Sequence, residues 1–219
     1  TVTIPSQMVS LARGQEIKDA LLANAGLQAR LFNTPNPLDG TLDNGIVAHE
    51  WAHYLSNRLV GNGNGLYNNQ GGSLGEGWSD FVALLMMVKE SDNLIAGNNN
   101  FQGVYSASTF VGNAYYGIRR APYSTDMNKN ALTFKHIEDG VALPLSHPVA
   151  FGSSGIHNSE VHASGEIWAE VLWEVFVGLI NKPGYSFEQA REIMKDYLVA
   201  GLKMTPNSPT MLEARDALL

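Results

Sequence analysis

The sequence predicts a mainly α fold (α+β), with a short β/α segment at its N-terminus, and three observations lead there. Apolar residues recur at helical spacing over long stretches near residues 43–59, 74–89, 161–181 and 187–204. The one strand-like run, Val2 to Val9, lies at the very start. Between Ser91 and Pro148 the chain is rich in Gly, Asn, Ser and Pro, so long loops with short helices are expected there.

In order, the strand Val2 to Val9 leads into a helix with Ile17, Ala20, Leu21 and Ala25 on one stripe, and Gly26 stops it. Asn33 to Gly40 (NTPNPLDG) is turn chemistry and the expected internal boundary. A helix follows from Asp43, a good N-cap, to Leu59. Asn, Gly and Ser then dominate Gly61 to Ser73, read as a flexible loop. The next helix runs from about Leu74 to Lys89 and buries Phe81, Leu84, Leu85 and Val88. Two amphipathic helices, Val161 to Asn181 and Phe187 to Met204, close the chain.

The 219 residues suffice for one large domain or a two-lobed unit with a real core. A formal charge of −7, with fourteen dispersed basic residues, argues against nucleic acid as a partner, because phosphate binding needs clustered Lys and Arg. No run of about eighteen apolar residues is present, so no membrane span is expected. The absence of cysteine removes thiolate metal sites, cysteine nucleophiles and disulfides together. The N-terminus has neither an initiator Met nor a basic and apolar leader, so the chain is expected to be a piece of a longer polypeptide.

Chemistry concentrates in His49-Glu50-Trp51-Ala52-His53, an HExxH sequence. On a helix, positions i and i+4 share one face, so both imidazoles can reach one metal ion at about 2.0–2.1 Å without backbone strain. Glu50 is rotated away from ligation and suits a general base acting on water at the metal. Glu76, at the start of the next predicted helix, completes a His2Glu set, and one open position remains for a catalytic zinc. Asp80, one turn further on, can accept the other ring N–H of a ligating histidine. The competing reading of Glu76 is structural, since Ser73-x-x-Glu76 has the form of a capping box. A metzincin is excluded, because it needs Gly and His where this chain has Ser56 and Leu59.

Three stretches, NGIVAHEWAH from Asn44, SNRL from Ser56 and GEGWSD from Gly75, resemble the fungalysin family of secreted zinc metallopeptidases, relatives of thermolysin. The similarity continues through GIRRAPYSTDM from Gly117, EVHASGEIW from Glu160 and EARDAL from Glu213. It implies that residues 31–219 are the helical half of a thermolysin-like zincin catalytic domain. Residues 1–30 are similar to the tail of a protease-associated domain. It further implies one zinc per chain on His49, His53 and Glu76, with Glu50 as catalytic base and Asp80 behind His49. His162 would stabilise the oxyanion, oriented by Glu160 or His157, and Tyr67, nine residues before Glu76, would be a second donor. Arg119 or Arg120 would bind a substrate carbonyl. The implied setting is a secreted, extracellular zymogen with protein or peptide substrates and an inhibitory propeptide in its precursor. The β-rich half that walls such a cleft falls outside these residues, so the chain taken alone is expected to turn over slowly.

Other readings stay open at this point. The chain can be a zinc-binding fragment that acts as a binding or scaffolding domain with little turnover. A Glu-zincin aminopeptidase would share the metal ligands but needs an acidic anchor for a free amine, and no such motif is evident. Calcium (Ca2+) is also open, since Asp92, Asp126 and nearby asparagines offer oxygen ligands without EF-hand spacing.

Overall fold

The computed structural model describes residues 11–24, 26, 38–144 and 154–219. The chain divides into two compact units, Thr1–Pro37 and Leu38–Leu219, and the division falls within the turn-rich stretch Asn33 to Gly40. In the first unit α1 spans Leu11–Ala23, with Ile17 and Leu21 about half exposed. The expected strand Val2 to Val9 lies outside the described residues.

The second unit is helical: α2 (Asn44–Leu59), α3 (Asn69–Met87), α4 (Val161–Ile180), α5 (Phe187–Met204) and α6 (Met211–Asp216). Short 3-10 turns punctuate the segments between them, as at Glu90–Leu94 and Phe134–Ile137. Among the described residues, β pairing is confined to isolated bridges, Tyr105 with Tyr123 and Asn113 with Gly117.

Asp43 starts α2 as the sequence indicates, its carboxylate accepting from Gly45 N at 2.8 Å. The other oxygen of Asp43 accepts from Phe110 N and Val111 N, so the same cap anchors a distant loop. The helix turns Gly45, His49, Ala52 and Ser56 inward. Val47, Trp51 and Tyr54 form an exposed stripe on another face.

α3 begins five residues before the expected Leu74. Its cap is Asn68, which accepts from Gly71 N and donates to Pro209 O. The Gly71-Gly72 pair, read from sequence as loop, is helical because backbone and side chains crowd it. A Cβ on Gly72 would lie 3.1 Å from Val161. Ser73 is therefore inside the helix, where its hydroxyl bonds Asn69 O at 2.9 Å and meets Ser164 Oγ at 2.5 Å. The capping-box reading of Ser73 and Glu76 is corrected by this register, which leaves the Glu76 carboxylate free for other work.

α3 packs closely along α4. A Cβ on Gly165 would stand 2.6 Å from Glu76 Cβ, and one on Gly77 would stand 2.5 Å from Gly165 O. Nothing larger than glycine fits at this crossing. Beside it the edge-on pairs Trp78–Trp168 and Phe81–Phe176 fill the core. α4 is amphipathic only in its second half, where Val171, Glu174 and Val175 are exposed; Ala163 through Glu170 are all buried, because α3 covers one side and the loop 119–137 covers the other. α6 was not anticipated, although Thr210-x-x-Glu213 is a capping box visible in the sequence.

Glu170, inside α4, fastens the loop after Tyr123 by accepting from Ser124 N and from Asn130 Nδ2. Its other oxygen finds no partner among the described residues. Burial pushes this carboxyl up to about 8, outweighing the bonds from Ser124 and Asn130, and nearby Glu174 adds to the rise. Between about 4.5 and about 8 the folded chain thus holds a proton that the unfolded chain has lost, so stability falls as pH rises through that window. Glu170→Gln, which mimics the neutral form, is expected to flatten the fall in Tm across this window. Parallel Tm profiles for the two proteins would show that Glu170 does not titrate there.

Candidate metal centre

The inward face of α2 sets His49 and His53 one turn apart, with their Nε2 atoms 3.0 Å from each other and their rings edge-on at 83°. Glu76, carried in from α3, places Oε2 3.3 Å from His49 Nε2 and Oε1 3.3 Å from His53 Nε2. Ligands about 2.0–2.1 Å from a tetrahedral ion are separated by roughly 3.3–3.4 Å, so these separations suit zinc. Among the described residues this is the one His/Asp/Glu group able to hold a metal ion. Glu50, next to His49 on α2, is exposed and is not one of the three.

Behind this candidate group, His49 Nδ1 lies 2.7 Å from Asp80 Oδ1. Asp80 is 1% exposed, and it also accepts from Arg119 Nε at 2.6 Å, Arg119 Nη2 at 2.9 Å and the Tyr123 hydroxyl. In front, His162 on the first turn of α4 has its Nε2 3.4 Å from Glu76 Oε1. Of the two residues expected to orient it, Glu160 makes the contact. Its Oε1 lies 2.7 Å from His162 Nδ1, and its Oε2 caps the helix through His162 N and Ala163 N.

The model of the family described as Fungalysin metallopeptidase (M36) matches residues 23–219. The chain belongs to the fungalysin metallopeptidase family. It is 34% identical to extracellular metalloproteinase mep of Aspergillus terreus, over 84% of this chain and 27% of that one. It is 31% identical to extracellular metalloproteinase 2 of Trichophyton tonsurans, over 90% of this chain and 29% of that one. It is 33% identical to extracellular metalloproteinase 10 of Coccidioides posadasii, over 84% and 27% respectively. The chain thus spans under a third of the length of these curated relatives. The mainly helical architecture is that of the helical half of a thermolysin-like zincin domain.

The electrostatics of this fungalysin centre favour an anionic carboxylate pair facing imidazoles. Burial acts to raise Glu76, but its hydrogen bonds to His49 and His53 hold it well below the usual carboxylate range. Burial likewise opposes ionisation of Asp80, and the Arg119 guanidinium and His49 bring it down to about 2. Burial lowers His49, yet Asp80 and Glu76 outweigh it and raise the imidazole to about 9. A metal ion held here would take the place of the Nε2 proton, and Asp80, 2.7 Å from Nδ1, would hold the proton there.

The adjacent arginines divide. Arg119 faces the centre, its Nη2 3.4 Å from Glu76 Oε2. Arg120 turns the other way, onto Glu166, Asn158 and Ala163 O. Tyr67 sits on the loop before α3, 77% exposed, with its hydroxyl donating to Asn64 Oδ1 at 3.0 Å. Asp92 accepts from Lys89 N, while Asp126 accepts from Asn128 and pairs with Lys129, so both are engaged in local turns. Tyr123 escaped sequence reasoning, because no spacing rule links it to Asp80, 43 positions away.

A cavity of about 350 Å³ opens beside His162, walled by Ile118, Leu143, Ile156 and Ala163. A second, more apolar groove of about 440 Å³ lies between Trp51, Met86 and Leu198, away from the ligands. The first of the two adjoins the chemistry.

Proposed function

We propose that this chain carries the metal-binding half of a zinc-dependent endopeptidase that hydrolyses internal peptide bonds, with residues 31–219 as its catalytic unit and residues 1–30 as the tail of a protease-associated domain. The observation that carries the reading is the triangle of donor atoms on His49, His53 and Glu76, with edges of 3.0–3.3 Å, on a fungalysin chain. Zinc held there by His49, His53 and Glu76 would supply Lewis acidity to the scissile carbonyl and to a nearby water. Glu50 removes a proton from the attacking water as its oxygen bonds to the carbonyl carbon. It then passes that proton to the departing nitrogen as the C–N bond breaks. His162 donates from Nε2 to the oxygen on which negative charge grows, and Glu160 keeps the proton on the facing nitrogen by accepting from Nδ1. Tyr67 serves as a second donor once it exchanges Asn64 for that oxygen. Arg119 is the member of the arginine pair placed to meet a substrate carbonyl.

Extracellular action on proteins or peptides is the setting that the names of the relatives support, and the reading adds an inhibitory propeptide in the precursor. No helix among the described residues is long and apolar enough to cross a membrane. The test is cleavage of a peptide blocked at both ends. Hydrolysis is expected at an internal bond, to stop on chelation and to return with about one equivalent of zinc per chain. Zinc bound stoichiometrically with no cleavage would instead support the binding or scaffolding reading. Cleavage only of peptides with a free amine would support an aminopeptidase.

A further inference from the structure

Resting on that reading of His162, we infer that Arg120 is the positioning residue for His162, setting its height above the metal centre through the first turn of α4.

The side chain of His162 is 53% exposed; it meets Glu160, nearly as exposed, through Nδ1 and Glu76 through Nε2 at 3.4 Å. Those two contacts orient the ring, but its height above the centre is inherited from the backbone beneath. That backbone is buried from Ala163 through Glu170. It is held from below by Arg120, whose backbone N donates to Glu166 Oε1 at 2.6 Å and whose Nε donates to Glu166 Oε2 at 2.9 Å. The same guanidinium donates through Nη2 to Ala163 O and through Nη1 to Asn158 Oδ1 at 2.7 Å. Asn158 in turn donates to Glu138 O and Val141 O, so the loop leading into α4 is tied to the same point.

Arg120 thus joins the residue after His162, the residue one turn on, and the segment before the helix. A planar guanidinium can do this because its donors leave in fixed, divergent directions, whereas a lysine ammonium cannot reproduce that fork. Its neighbour Arg119 holds Asp80 and reaches toward Glu76 from the same turn of chain. That turn is shaped by Gly117, whose φ of +61° and 1.8 Å clearance from Ala107 O admit no side chain. One rigid dipeptide therefore references the partner of His49 on one side and the mount of His162 on the other. Gly165, pressed on Glu76, completes the alignment and leaves His162 Nε2 3.4 Å from Glu76 Oε1. Misplacing a donor by about 1 Å is enough to cost roughly 10²-fold in rate.

The experiment is a double-mutant cycle of Arg120→Lys with His162→Ala, read in kcat, KM, zinc content and amide exchange. His162→Ala is expected to lower kcat by about 10²–10³-fold. Arg120→Lys is expected to lower kcat about tenfold or more with KM within about twofold, and to keep full zinc. Amides of Ala163 to Glu166 should exchange faster in Arg120→Lys while those of α3 do not. The double variant should be no worse than His162→Ala alone, because Arg120 then has no donor to position. Losses that multiply, an unchanged kcat in Arg120→Lys, or zinc lost in step with activity would each overturn the inference. An unchanged kcat in His162→Ala would instead remove the role of His162 itself, and the inference with it. Should Arg120→Lys not fold, Glu166→Gln takes its place in the cycle, with the same non-additivity expected and multiplying losses again overturning it.

Discussion

Glu76→Ala is expected to lose zinc affinity by more than the 10–100-fold that follows removal of an outer partner of a ligand. The two histidines that remain are one turn apart on α2 and face the vacated carboxylate position at 3.3 Å each. They can still meet an ion, but two ligands leave it with two solvent positions and no anion to offset its charge. The helix itself should survive, since Asn68 caps α3 and Glu76 lies in its third turn. Zinc measured against a competing chelator, beside the helical signal in circular dichroism, separates the two effects. Unchanged stoichiometry and affinity would mean that Glu76 is not a ligand.

The second large effect is expected at Glu50. Glu50→Gln keeps the shape of the side chain and removes the base, so kcat should fall by about 10²–10⁴-fold while zinc content stays at the wild-type level. The position makes this separation clean: Glu50 neighbours His49 in sequence but lies about 100° around the helix from it, on the exposed side. Binding and catalysis are therefore expected to divide between two adjacent residues. Wild-type turnover in Glu50→Gln would require another group to take the proton from water.

How far the sequence reaches depends on the range of the interaction that decides each feature. The start of α2 is legible because Asp43 caps it through Gly45, two residues on. The start of α3 is not, since Gly71 and Gly72 read as breakers until Leu66 and Val161 are packed against them. The polarity of α4 misleads for a related reason. Glu166 and Glu170 look solvent-facing in sequence, yet each is buried against a partner more than 35 residues away, Arg120 for one and Ser124 for the other.

By itself the sequence determined that two imidazoles stand on one face of a helix with a carboxylate rotated off it. That geometry follows from the 3.6-residue turn and needs no tertiary contact. It also placed Glu76 and Asp80 one turn apart on a single helix. Only the tertiary structure decided which of Arg119 and Arg120 faces the metal centre, that Tyr123 shares Asp80, and that Ser73 belongs to the α3–α4 contact rather than to a cap. Polar side chains of that kind have several partners within reach in any local conformation. Which of them is chosen is set by the cost of leaving a buried donor or acceptor unpaired, and that cost exists only once the distant surfaces have met.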